Sequence, residues 1–149
     1  CRRVLPVLHK LRAPSGVMVD IFLHYPEDGV IWHGSADYRW DNSPFDLRPW
    51  PIAGIAVPGP VEADRYLTEN YGDWRTPRTD FHCAIDTTNQ RLPANPLALA
   101  LALRRLWLAA GARPGAVGPL LGQLQAAWQI RPDPAAPGGW ALVPGLFAP

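Results

Sequence analysis

Asp20 is the side chain in this sequence whose surroundings most need a chemical reason. It lies within residues 16–25, which are otherwise mostly apolar, β-branched or aromatic and are bounded by Pro14 and Pro26. An ionised carboxylate inside a packed sheet is costly unless a cation, a set of hydrogen-bond donors or a metal compensates it. Two explanations are therefore open: an ordinary partner such as an arginine or a backbone N–H group, or a divalent metal ion.

Residues 16–25 predict a buried central strand, because continuous apolar sequence is typical of strands that are covered on both faces. Side chains alternate between the two faces of a strand, so Asp20, Phe22 and His24 lie on the same face. His24 is about 13 Å from Asp20 along an extended strand, at roughly 3.3 Å per residue. The two side chains therefore do not bind one ion together.

A second group of candidate residues follows a predicted helix. Residues 73–77 include Asp73, Trp74 and Arg75 and are too short a segment for regular structure. A loop that combines an indole, a guanidinium and a carboxylate can stack on a base and contact a phosphate. The alternative is that Trp74 packs beneath the sheet and that Arg75 and the nearby Arg78 are solvated.

Other combinations of reactive residues do not indicate a metal site or a catalytic site. His82 and Cys83 are adjacent, so on a strand they point to opposite faces and form no metal pair. The two cysteines, Cys1 and Cys83, make neither a CxxC zinc motif nor a disulfide framework, which favours a reducing compartment. The sequence has no recognisable Ser/His/Asp arrangement, phosphate-binding glycine loop or glycosidase carboxylate pair, so hydrolase interpretations are weak.

Length and charge narrow the class of protein. The chain has 149 residues and a formal net charge of +1. This length suits one domain, or a smaller core with an appended helical piece, and the charge does not favour nucleic acid as a partner. The longest apolar run, residues 97–103, is far shorter than the roughly 18–20 residues that a membrane span needs. We expect a cytoplasmic protein, and because the chain starts with Cys1 and shows no signal peptide we also expect residues upstream.

Turn-forming residues divide the first 92 residues into short strands and one helix. The helix begins after Pro60 and ends at Tyr71, before Gly72. Strand patterns cover residues 30–33, 45–48, 52–57 and 81–85, and the first of them forms a predicted hairpin with residues 16–25 through a turn at residues 26–29.

Residues 93–149 differ in character from the residues before them. Asn95 is a natural N-cap for a Leu- and Ala-rich helix over residues 97–110, and a second helix covers residues 119–128. Residues 131–147 are rich in Pro, Gly and Ala and predict an irregular tail. The nearly all-apolar surface of the two helices predicts that they dock on another region or subunit.

Two stretches, in this order, resemble the LicD/fukutin family. Residues 19–22 read Val-Asp-Ile-Phe, and residues 66–77 read Tyr-Leu-Thr-Glu-Asn-Tyr-Gly-Asp-Trp-Arg-Thr-Pro. Between them, Trp32-His33-Gly34 and Val57-Pro58 sit where fukutin-like members carry similar residues. The resemblance covers residues 15–90, and its specificity comes from the two stretches occurring together.

The resemblance implies an α+β, nucleotidyltransferase-like fold, with a mixed or antiparallel sheet flanked by helices, and a site that holds Mg²⁺ or Mn²⁺. Family members are similar to enzymes that move a phospho-alcohol group, such as phosphocholine or phosphoribitol, from a CDP-activated donor to a glycan hydroxyl. Metal ions assist such transfer by neutralising the attacking and leaving oxygens. On this resemblance Asp20 is the catalytic and metal-binding acid. The resemblance implies a donor site of Tyr71, Trp74, Arg75 and Arg78. In this site Trp74 would stack on the cytosine ring, and Arg75 or Arg78 would contact the pyrophosphate.

The sequence departs from the family pattern in one respect. Family members carry an earlier Asp-x-Asp pair, whereas this chain contains none. We therefore expect residues 1–92 to be the C-terminal part of such a domain, inactive by itself because the acid pair lies upstream of Cys1, and residues 93–149 to be a helical hairpin with its tail. The hairpin would dock on the missing N-terminal region or on another subunit. The alternative is a degenerate, noncatalytic relative that acts as a binding or scaffold module.

Overall fold

Short antiparallel ladders and four helices make up the computed structural model, which describes residues 5–145. The strands are β1 Leu8–Arg12, β2 Met18–Phe22, β3 Tyr25–Glu27, β4 Val30–Gly34, β5 Arg39–Asn42, β6 Leu47–Ile52, β7 Ile55–Pro60, β8 Gln90–Arg91, β9 Ile130–Pro132 and β10 Trp140–Leu142. The helices are α1 Ala63–Tyr71, α2 Cys83–Asp86, α3 Pro96–Ala112 and α4 Val117–Ala126. The predicted α+β class is confirmed, and the nucleotidyltransferase likeness stays a prediction.

The largest sheet has four antiparallel strands in the order β3-β4-β5-β8. Its first two strands form a hairpin, with Tyr25 opposite Trp32, that ends in the predicted strand over residues 30–33. The strand before the turn, however, is the separate β3 and not residues 16–25. β5 then pairs with β4 so that His33 lies opposite Trp40. The remaining ladders are two-stranded hairpins, of which β6–β7 turns at Ala53 and Gly54, both with positive φ, as a tight two-residue hairpin turn requires.

The prediction of a buried central strand over residues 16–25 is wrong. Within residues 5–145, β2 pairs with β1 alone, and each of its five side chains is exposed. The apolar run correctly indicated a strand, but periodicity says nothing about which surface will cover it. The result is a two-stranded hairpin with an exposed apolar face formed by Leu11, Val17, Val19 and Ile21.

The prediction of a strand over residues 81–85 is also wrong, because this segment begins a short helix. The His82 side chain accepts a hydrogen bond from the Ala84 N–H at 3.2 Å, which caps α2. The Asp86 carboxylate in turn accepts one from the His82 N–H at 2.7 Å. These reciprocal side-chain bonds satisfy the helix's first N–H groups locally and outweigh the weak strand preference of the sequence.

The two predicted C-terminal helices are present and pack against each other. Asn95 caps α3 by accepting a hydrogen bond from the Ala98 N–H at 2.9 Å, as predicted. The tail is more regular than predicted, since β9 and β10 pair, and Ile130 joins the core between the helices. The buried members of that core are Leu92, Ala102, Leu124 and Ile130. None of the helices in residues 5–145 has the length and apolar character that crossing a membrane requires.

Leu124 tests this packing, because its side chain is fully buried. We expect Leu124→Ala to lower the free energy of unfolding by about 2–5 kcal/mol, since it removes buried methyl groups and leaves a cavity. Urea denaturation monitored by circular dichroism measures the loss. Leu97→Ala is the matched control, because Leu97 is 52% exposed and its truncation should cost far less. Equal losses for the two variants would contradict this description of the core.

Candidate functional site

A cleft of about 250 Å³ lies between the four-stranded sheet, the end of β2 and helices α1 and α2. Its walls bring together aromatic and ionisable side chains from separate parts of the chain. The lining residues are Phe22, His24, His33, Trp40, Tyr66, Asn70, Tyr71, Cys83 and Thr87. A larger cavity of about 660 Å³ beside α4 has Arg131 as its one ionisable lining residue, so the smaller cleft is the better candidate for chemistry.

A stack of three rings forms the floor of the cleft. His33 lies parallel to Trp40, with ring centroids 5.3 Å apart and planes inclined by 17°, because the β4–β5 register sets the two residues opposite each other. His24 also contacts His33, with ring centroids 4.4 Å apart and planes inclined by 37°. Phe22 meets His33 edge-on at 5.7 Å. Aromatic pairs in these arrangements each contribute about 0.5–1.5 kcal/mol beyond the area that they bury.

Hydrogen bonds fix the polar groups of the cleft walls. The Trp40 indole N–H donates to the Thr87 hydroxyl at 2.8 Å, and that hydroxyl donates to the Cys83 carbonyl at 2.7 Å. The Asn70 amide donates to the Tyr66 carbonyl at 2.7 Å and accepts from Asn89 at 3.1 Å. The polar groups of the walls are therefore hydrogen-bonded to one another in the absence of a ligand.

The cleft carries no cation from His33 at neutral pH. Burial, with a smaller contribution from His24, lowers the pKa of His33 to about 4. Burial also raises the pKa of the Tyr66 phenol, which stays protonated. The His33 Nδ1 atom is buried and has no hydrogen-bond partner among residues 5–145. An aromatic cleft with a neutral His33 suits a planar ring that stacks, and its volume is below the usual range of roughly 300–1,000 Å³ for whole drug-sized ligands.

The structure places Asp20 outside this cleft, on the exposed β1–β2 hairpin. Its carboxylate lies 3.6 Å from Lys10 Nζ, its cross-strand neighbour, and the two side chains are 41% and 60% exposed. Asp20 shares a strand face with Phe22, two residues on, so it lies about 7 Å along the strand from a lining residue. The ordinary partner considered from the sequence is thus present, and it is a lysine.

The described residues around Asp20 do not by themselves fit a divalent ion. Mg²⁺ requires near-octahedral oxygen coordination, and one carboxylate beside an ammonium group does not supply it. Within residues 5–145, no group of three or more His, Cys, Asp and Glu side chains is arranged to hold a metal ion. A metal role for Asp20 therefore requires further ligands and stays a prediction.

Of the four predicted donor-site residues, only Tyr71 lines the cleft. Trp74 is exposed on the loop after α1, with the Arg75 guanidinium 4.3 Å above its ring. Arg75 also forms an ion pair with Asp64. Trp74 thus lies neither in the cleft nor beneath the sheet.

Arg78 lies near the cleft but is already compensated by carboxylates. It pairs with Asp80 at 3.2 Å and Asp86 at 3.8 Å. Its guanidinium is 5.9 Å from the Phe81 ring, which packs against Tyr71 at 5.6 Å. A phosphate that approached Arg78 would compete with two carboxylates, so the arginine alone makes no anion site.

Sequence reasoning missed most of the cleft. His33 lies on β4, where the strand pattern predicted it, but the sequence indicated no role for it in a site, and Trp40 carried no signal. One useful indication was that Asp20, Phe22 and His24 share a strand face, because Phe22 and His24 both line the cleft. The register that aligns His33 with Trp40 cannot be read from either strand alone.

His33 provides a test of this environment through pH. Because its pKa is low in the folded chain, the unfolded chain binds a proton between pH 6.5 and about 4 that the folded chain does not. We expect the free energy of unfolding to fall by about 1–2 kcal/mol as the pH is lowered through this window, after allowance for solvent screening of a partly exposed ring. Above pH 6.5, His33 should not affect the pH dependence of stability.

The matched variant is His33→Phe, which keeps a ring in the stack and removes the titration. Denaturant unfolding of both proteins at pH 7 and pH 4.5 gives the difference, and the carboxylates titrate alike in both. The variant should lose less stability on acidification than the wild type. Identical losses would show that His33 is not held neutral by the fold.

Comparisons of the chain with protein-family models, with curated proteins and with solved structures found no match. The interpretation of residues 19–22 and 66–77 therefore depends on the residues themselves and on where the fold places them.

Proposed function

We propose that this chain forms part of a metal-dependent transferase of the LicD/fukutin type, which moves a phospho-alcohol group from a CDP-activated donor to a glycan hydroxyl. One observation supports the proposal above the others. The two stretches that resemble the family are far apart in sequence, yet both line the same cleft. Phe22 comes from residues 19–22, and Tyr66 and Tyr71 come from residues 66–77.

The chemistry of the cleft is compatible with one part of such a donor. A planar, uncharged nucleobase gains stacking energy on aromatic faces, about 1–3 kcal/mol per base. Tyr71 offers a face that is 48% exposed beside the neutral His33 stack. We therefore assign the base of the donor to the cleft and leave the acceptor unassigned.

The proposal requires acids that residues 5–145 do not bring to Asp20. Asp20 lies on the strand face that leads to Phe22, so a metal held there with further ligands would be near the base site. The described residues would then bind the donor and not catalyse the transfer. They would stack on the base, exclude water from its face and hold its orientation through the hydrogen-bonded walls of the cleft.

A noncatalytic binding module is the second candidate. The ion pair between Lys10 and Asp20 favours it, because that pair satisfies the carboxylate without a metal. In this case the cleft would still bind a planar group, but no transfer would follow.

Base binding is tested with Tyr71, which is exposed enough to be replaced without loss of the fold. We expect Tyr71→Ala to weaken CDP binding by a factor of about 5 to 100, while Tyr71→Phe retains most of the affinity because it keeps the ring. Isothermal titration calorimetry measures both, with ribose 5-phosphate as the ligand that lacks a base. Equal affinity of the wild type for the two ligands, or of Tyr71→Ala and Tyr71→Phe for CDP, would remove the base from the cleft.

Catalysis is tested with Asp20 in the complete enzyme. We expect Asp20→Asn to abolish transfer from a CDP-linked donor and to leave the melting temperature nearly unchanged, since an exposed ion pair contributes at most about 1 kcal/mol. Asp46→Asn is the control, because Asp46 is an exposed carboxylate outside the cleft. Unchanged turnover in Asp20→Asn would remove Asp20 from the mechanism, whereas absence of transfer by the wild-type complete protein would favour the binding module.

A further inference from the structure

Helix α3 presents an apolar arc that the described chain leaves exposed. Its members are Leu97, Ala100, Arg104, Trp107 and Gly111, flanked by Leu103 and Leu108, and each has an exposed side chain or surface. The first five follow the three- and four-residue steps of a helix-packing seam. We call these seven residues the α3 arc.

The orientation of the α3 arc is fixed by the opposite side of the helix. Ala98, Ala102 and Ala109 are buried on that side. Ala102 belongs to the core with Leu124, and Ala109 to the neighbouring cluster with Leu120. Rotation that hid the arc would expose this core, so the apolar surface is a stable feature of the fold.

Arg104 is the one charged residue within the arc. Four other arginines of residues 87–149 have carboxylate partners: Arg91 with Asp41, Arg105 with Asp37, Arg113 with Asp86 and Arg131 with Asp133. Arg104 has no ion-pair partner among residues 5–145, and residues 87–132 contain no Asp or Glu. A partner that buries Arg104 at the centre of the arc must therefore bring an anion to it, because a buried charge without a partner is costly.

A second copy of this chain does not meet that requirement. Arg104 is the midpoint of α3, so any pairing that overlaps the two arcs fully, parallel or antiparallel, brings the two Arg104 side chains together. Like charges facing each other across an interface are strongly unfavourable. A lipid surface fits poorly for a different reason: a residue at the centre of the arc would lie deepest in the bilayer, where an arginine is costly.

We propose that the α3 arc binds an apolar helix of another protein, which places a carboxylate opposite Arg104. Leu97, Leu103, Trp107 and Leu108 supply the apolar contact, and the small residues Ala100 and Gly111 allow close approach of the partner helix. Arg104 sets partner and register, as a single polar residue in a helix-packing seam does. This surface is independent of the cleft and of the reaction proposed for it.

The test uses the chain itself as the probe. Arg104→Glu converts the arc into an apolar helix face with a central carboxylate, which is the surface that the proposal describes. We expect an equimolar mixture of wild type and Arg104→Glu to form a one-to-one dimer at least about tenfold tighter than either protein forms alone. Sedimentation velocity measures all three samples.

Two tryptophans provide matched controls, because Trp107 and Trp128 are both 80% exposed. Trp107→Ala in both partners should abolish the mixed dimer, whereas Trp128→Ala, which lies outside the arc, should leave it unchanged. Circular dichroism verifies that each variant is folded. If Arg104→Glu does not fold, Arg104→Asp introduces the same charge.

Three outcomes would overturn the proposal. A mixture that associates no better than its components would show that a carboxylate opposite Arg104 is not what the arc recognises. Wild type that dimerises as tightly alone would make a second copy the occupant. Binding of the wild type to phosphatidylcholine vesicles containing phosphatidylglycerol, lost in Trp107→Ala, would make it a lipid surface.

Discussion

The stack of His24, His33 and Trp40 is the contact on which the first half of the molecule depends. Within residues 5–92 the strands are short and their hairpins small, and a two-stranded hairpin is at best marginally stable alone. The stack joins three of these pieces, since Phe22 packs on it from β2 and the Trp40 indole reaches Thr87 beyond α2. It follows that the same rings both hold this part of the fold together and line the cleft, so a substitution in the stack would affect stability and the cleft at once.

Ion pairs join the first part of the chain, which contains the aromatic stack, to the helical part that follows residue 86. The acids are concentrated in the first 86 residues, while residues 87–149 carry five arginines and one acid. Three of those arginines cross the boundary: Arg105 to Asp37 at 2.6 Å, Arg91 to Asp41 at 3.0 Å and Arg113 to Asp86 at 3.2 Å. Asp41 is nearly buried and is therefore the carboxylate among them that needs its arginines most. A net charge of +1 thus conceals two oppositely charged parts that hold each other.

Sequence analysis correctly predicted the elements that local interactions determine. It was wrong where residues far apart in the sequence determine burial or strand pairing. The Asn95 cap, the Leu- and Ala-rich α3 and the strand over residues 30–33 that follows a turn depend on neighbours within a few residues, and their predictions are confirmed. The burial of β2 and the alignment of His33 with Trp40 depend on which strands meet, which no local pattern contains. The candidate site was predicted only at its edge: Tyr71 lines the cleft, whereas Trp74 and Arg75 are stacked on each other outside it.

The ion pair between Lys10 and Asp20 is a weaker objection to a metal than it first looks. An exposed pair of this kind contributes about 0–1 kcal/mol, so Lys10 can turn away at little cost once a competing cation arrives. What a divalent ion needs at Asp20 is further anionic oxygen ligands, because Mg²⁺ loses its waters reluctantly and one carboxylate alone does not offset that cost. The deciding question is therefore what covers the hairpin beside Asp20. Carboxylates brought to the face of Asp20 would complete a metal site there, whereas Val19 and Ile21 lie on the opposite face of β2 and need a separate covering surface.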